Sequence, residues 1–134
     1  MGICTPKRNI LLTFASFVVA IDCVTFTAPL LLIVYAIDNF AFARCESLRS
    51  VTIPDGVIDI GVGAFQSCDS LTSVTIPDSV TFIAAGAFEL CSGLTSITYA
   101  GTVEQWNAVQ LGLLWNPDGI TEVVCSDGTV SLVD

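Results

Sequence analysis

The chain is 134 residues long, with 13 acidic and 4 basic residues, a net charge of −9 and no histidine. Its cations, Lys7, Arg8, Arg44 and Arg49, all precede Ser50, so no cluster of positive charge is available to track a phosphate backbone or an anionic lipid surface. The lack of histidine removes the commonest general base, the Ser–His and Cys–His nucleophile pairs and the commonest transition-metal ligand. The length suits one domain.

Mean hydropathy is +0.79, and much of the excess lies in residues 9–42. There Ile10–Ile21 and Cys23–Ile37 are two apolar runs separated by Asp22. Residues 1–20 read as a signal peptide, with Lys7 and Arg8 before the apolar stretch Ile10–Ala20 and Val18, Val19 and Ala20 as the cleavage triplet. The run Ile10–Ile37 is also long enough for a membrane anchor. The same residues read equally as decayed coils of the repeat described next, or as the scar of a truncated reading frame. These alternatives stay open on sequence grounds. Gly2 lacks a myristoylation context, because Pro6 stands where Ser or Thr is needed.

Residues 51–73 align with 74–96 without a gap and share 14 of 23 positions, and the window 28–50 keeps 8 of 23. A period of this length marks a solenoid. In "LTSVTIP", Leu71, Val74 and Ile76 fall on one face and Ser73 and Thr75 on the other, which predicts a half-buried strand ending at Pro77 and Asp78. Val80, Ile83, Ala87, Phe88, Cys91 and Leu94 then predict a short irregular or helical return path with one buried side. One unit cannot bury its own apolar face; stacked units can.

The tail carries different signals. Thr102 to Gln105 ("TVEQ") is a capping-box pattern, and Trp106, Val109 and Leu113 fall near helical spacing on one face. Residues 115–119 ("WNPDG") are turn chemistry, and residues 120–133 ("ITEVVCSDGTVSLV") read as two strands about a turn at Ser126, Asp127 and Gly128. Trp106 and Trp115 read as packing against the last coil.

"SVTIPDSVTFIAAGAFELCSGL" resembles the BspA-like leucine-rich repeat, the 23-residue subtype of leucine-rich repeats, specifically over 51–96 and more weakly over 28–50. The tail, with its "QWN" motif, resembles the closing segment of that family. The resemblance implies an α/β solenoid: a short right-handed stack of leucine-rich repeat coils with a C-terminal helix plus β-hairpin cap. The expected divisions are an apolar N-terminal segment over 1–27, the solenoid over 28–98 and the cap over 99–134.

Of six cysteines, Cys45, Cys68 and Cys91 lie 23 apart and Cys23 lies 22 before Cys45, with Cys4 and Cys125 outside this ladder. That is not metal spacing, which calls for close pairs. It predicts stacked, buried free thiols, with a bridge between neighbouring coils within reach but strained. Asp55 and Asp78 repeat with the period and invite a hydrolase reading with paired acids; turn chemistry in Pro-Asp-Gly and Pro-Asp-Ser corners explains them better. "PDGVIDI" lacks the dense acids of a calcium loop.

The polar strand positions Ser50, Thr52, Ser73, Thr75, Ser96 and Thr98 should line up as a ladder of small hydroxyls. They are the candidate partner-binding residues, because in leucine-rich repeat solenoids that sheet is a common binding surface. The resemblance further implies a non-enzymatic protein, secreted or on the cell surface, that binds a host matrix or cell-surface protein in adhesion. On the residues themselves no cofactor and no nucleic acid are expected, membrane contact only through the N-terminal segment, and weak self-association through the solenoid end. The alternative is a structural or vestigial C-terminal fragment of a longer repeat adhesin that binds nothing itself.

Overall fold

The computed structural model describes residues 35–133 and, ahead of them, the backbone of the two-residue strand β1 (Thr25–Phe26). The readings of residues 1–27 as leader, anchor or decayed coil otherwise lie outside the described residues. The elements that follow are β2 (Ala36–Ile37), β3 (Ser50–Thr52), β4 (Asp59–Ile60), β5 (Ser73–Ile76), β6 (Phe82–Ile83) and β7 (Ser96–Tyr99). A helix α1 (Val103–Asn107) then precedes β8 (Gln110–Leu111), β9 (Glu122–Cys125) and β10 (Gly128–Ser131).

These form a β-solenoid. One side is a six-stranded sheet in the order β1-β3-β5-β7-β9-β10, parallel except for the closing β9–β10 pair. The other is a four-stranded parallel sheet in the order β2-β4-β6-β8. The expected α/β character is corrected here: among the described residues the coils contain no helix, and their return path carries the second sheet. The reason is where the backbone donors go. Gly63, Phe65 and Ser67 give their N–H groups to Ala85, Ala87 and Glu89 of the next coil at 2.8–3.0 Å, while Ala64 and Gln66 close tight turns onto Gly61 and Gly63. Donors committed to the next coil cannot form i→i−4 helical bonds. Left-handed residues at Gly63 and Ser67 break any helix as well.

Val80, Ile83, Ala87, Phe88, Cys91 and Leu94 are all buried, as the spacing predicts. Phe42, Phe65 and Phe88 stack through the core, with ring centroids 5.2 Å apart at each step and planes within 3°. Such stacking exceeds plain area burial in worth. The Cys68 and Cys91 thiols donate to the Phe42 and Phe65 carbonyls at 3.1 and 3.0 Å. Cys68, Cys91 and Cys125 are free and buried. Cys45 is disulfide-bonded, which corrects the reading of the whole ladder as free thiols.

At the C-terminal end Thr102 caps α1 on both counts. Its hydroxyl accepts from the Gln105 N–H at 3.1 Å, and its own N–H donates to Gln105 Oε1 at 2.8 Å. The helix is shorter than the apolar spacing implied. It stops at Asn107, leaving Trp106 and Val109 buried and Leu113 83% exposed. Residues 110–115 instead stack on the preceding coil: the Gly112 N–H donates to the Ile83 carbonyl at 2.8 Å, and the Leu113 carbonyl accepts from Gly86 at 3.0 Å. Trp106 packs between Tyr99 and Trp115, with centroids 5.1 and 5.6 Å apart.

Candidate functional site

The six-stranded sheet is where repetition produces a surface. Because β3, β5 and β7 are parallel and in register, Ser50 pairs with Ser73 and Ser73 with Ser96, while Thr52 pairs with Thr75 and Thr75 with Thr98. Strand alternation puts Val51, Val74 and Ile97 inward and the hydroxyls outward. Thr52, Thr75, Ser96 and Thr98 are exposed, and Ser50 and Ser73 are half-buried. All six predicted residues therefore come together as two columns of hydroxyls stepping about 4.8 Å per coil.

Neighbouring hydroxyls do a different job. Thr72 and Thr95 donate to the Arg49 and Thr72 carbonyls of the preceding coil at 3.1 and 3.2 Å, so they tie coils together. The Thr75 and Thr98 hydroxyls make no such bond within the described residues and keep a donor and acceptors for a partner. The column continues beyond the repeat, because Thr98 pairs with Val124, which is 44% exposed. Sequence reading did not single out Val124, although the alternation in "EVVC" carries the signal.

The other candidates sit elsewhere. Asp55 and Asp78 stand exposed in corners closed by Val57 N–H to the Pro54 carbonyl (3.3 Å) and Val80 N–H to the Pro77 carbonyl (3.2 Å). Among the described residues no group of three acids or cysteines could hold a metal ion. Cys68, packed against the Cys91 thiol and buried, is held far above the usual thiol range. Burial, with Asp78 and Cys125 nearby, raises Tyr99, and burial with Asp127 nearby raises Cys125. Such groups stay protonated and inert at neutral pH.

The profile of the family described as "BspA type Leucine rich repeat region (6 copies)" matches residues 21–110. The chain belongs to the BspA-type leucine-rich repeat family. Solved structures agree on the fold. A leucine-rich repeat protein from Bacteroides ovatus superposes with a TM-score of 0.55 at 22% identity, covering 87% of this chain and 35% of its own. The leucine-rich repeat protein of T. pallidum gives 0.56 at 23%, covering 94% of this chain and 61% of its own. This family member thus spans about a third and about three fifths of those two chains. No curated protein matches the sequence. Repeats of this family generally serve protein–protein interaction, through the extended surfaces that stacking creates. No helix among the described residues is long and apolar enough to cross a membrane.

Proposed function

We infer that the chain is a non-enzymatic binding module that uses its six-stranded face to hold another protein, outside the cell and in adhesion to a host or a neighbouring cell. The observation that supports this is the double hydroxyl column, uncharged and free for a partner at Thr75 and Thr98. A surface that repeats every 4.8 Å or so suits a ligand that is itself extended and repetitive, such as a matrix protein. In the same reading, residues 99–134 cap the stack, with Trp106 and Trp115 covering the apolar end of the last full coil.

The test is adhesion of beads coated with the full chain to surfaces of purified extracellular matrix proteins, alongside a Thr75→Lys variant. The variant puts a charge at the centre of the column and leaves the core untouched. Adhesion lost in the variant, with unchanged melting, supports the reading. Adhesion equal in both sinks the hydroxyl face as the binding surface, and no adhesion by either leaves the purely structural reading standing.

A further inference from the structure

The opposite side of the coils carries an irregular surface that the fold itself does not require. At one corner the residues Phe40, Gly63, Gly86 and Leu114 occupy the same place in successive coils, with φ of 57°, 58°, 65° and 55°. The inter-coil bonds fix this register: the N–H groups of Phe40, Gly63 and Gly86 donate to the carbonyls of Val62, Ala85 and Leu113. Glycine adopts this left-handed backbone freely, and the two inner coils use it. Phe40 and Leu114 adopt it at a steric cost; the Phe40 ring lies over the Gly63 backbone and is still 55% exposed, and Leu114 is 68% exposed. The neighbouring column Arg44, Ser67 and Leu90 is left-handed without glycine too, so what marks this corner is its exposed apolar side chains where the inner coils carry glycine.

Those residues bound a groove. Gly86 and, beneath the Phe40 ring, Gly63 form its floor, and Leu114 stands at its other end, around a hollow of about 220 Å³. Through Val62 and Ala85 it continues into a cleft of about 510 Å³ that includes Asp38, Asp59 and Phe82. Through Glu89 and Leu114 it continues into a hollow of about 330 Å³ that includes Leu90 and Asp118. The apolar floor is therefore bordered by Asp59, Glu89 and Asp118, against one cation at the Phe40 end, Arg44, whose backbone N–H donates to the carbonyl of groove-lining Gln66 at 2.7 Å, and no Lys or Arg occurs after Arg49. We propose that this groove docks a cationic amphipathic segment of a partner protein, apolar side chains between Phe40 and Leu114 and Lys or Arg against the acidic rim. The charge selects that occupant: a second copy of a chain bearing −9 would be repelled, and so would an anionic lipid surface. Three inter-coil steps separate Phe40 from Leu114, about 15 Å, which two to three turns of helix would fill.

The probe is a labelled peptide of about 14 residues built from Leu and Lys at helical spacing, titrated into the full chain, with a Lys→Glu version as control. Expected are binding of the cationic peptide alone, weakening as salt rises, and loss of roughly tenfold or more in affinity in the double variant Phe40→Gly, Leu114→Gly. That variant trades relieved strain against the lost Phe40–Gly63 contact, so it should melt close to the parent, and Thr75→Lys on the other face should bind as the parent does. No binding, or equal binding by the double variant, overturns the proposal. So does a dimer of the parent that the double variant abolishes, or adsorption to phosphatidylcholine vesicles that the double variant abolishes, since the groove would then serve a second copy or a lipid surface.

Discussion

The two faces of this stack are built by the same coils and obey opposite rules. On the six-stranded face the outward positions hold constant from coil to coil: Ser50, Ser73 and Ser96, then Thr52, Thr75 and Thr98. On the four-stranded side they vary between coils: Phe40 and Leu114 flank Gly63 and Gly86 at one corner, and Asp59 lies beside Phe82 within the sheet. A repeat array samples each structural position several times within one chain. Positions that stay constant meet a demand every coil shares; those that change are free of that demand and can be particular. The uniform face suits a ligand that repeats, and the varied face suits one specific segment.

The interior is common to both faces, so the largest effect should remove the comparison altogether. Phe65 is the middle ring of the aromatic stack and fully buried. Phe65→Ala should cost about 3–5 kcal/mol, a large share of a domain stability of about 5–15. Urea denaturation would show it as a lower midpoint at unchanged slope. Both binding activities should vanish together. Survival of one face in a partly folded state would mean that the stack is not a single cooperative unit.

Alkaline pH should produce the next largest loss, and again through the shared interior. Tyr99 and Cys125 point inward from β7 and β9. Both have their pKa raised, chiefly by burial, while the Cys68 and Cys91 thiols, packed together, shift in opposite directions and offset each other. Above the ordinary thiol value of 9.0, and then the ordinary tyrosine value of 10.0, the unfolded chain releases protons that the folded chain still holds. Stability contributed by these groups is therefore full below about 9 and falls as pH rises, by about 1.4 kcal/mol per pH unit for each proton of difference. Melting temperatures measured from pH 7 to 11 should be flat at first and then decline. A rise over that range would contradict the burial of Tyr99 and Cys125.

Sequence reading reached the uniform face and missed most of the varied one, for physical reasons. Alternation in "LTSVTIP" and the 23-residue period suffice to place β5, β7 and all six hydroxyls in register. The return path is harder. Burial of Val80, Ile83, Ala87 and Phe88 fits a helix or a turn ladder equally well, and only the destination of the backbone N–H groups decides between them. Strands of two residues, such as β4 and β6, are too short to show a period. Phe40 was within reach, since the period aligns it with Gly63 and Gly86, a left-handed pair. Leu114 was not, because α1 interrupts the register between Gly86 and the final coil. Leu113 was misplaced for a related reason: the backbone of residues 110–115 follows the coil ladder, so helical spacing no longer reports burial there.

The smallest test concerns the corner that joins the two faces. Ser79 sits in the turn between β5 and β6 and is half-buried. Its hydroxyl accepts from the Gly56 N–H at 3.0 Å and donates to the Val57 carbonyl at 2.8 Å, both in the preceding coil. The equivalent residue of that coil is Gly56 itself, which uses φ of 98° and has no side chain to offer. Ser79→Ala removes one donor and one acceptor in a partly wet place, where water can replace part of the loss, so about 1 kcal/mol is expected. Because Ser79 lies off the hydroxyl columns and the apolar groove, affinity on both should stay as in the parent. A cost near zero would mean that the interior alone holds the faces in register. A cost near the expected value with both affinities unchanged would make the corner a coil-to-coil staple that either face can ignore. A change in one affinity alone would show that the corner sets the geometry of that face, and that the two surfaces can be tuned separately.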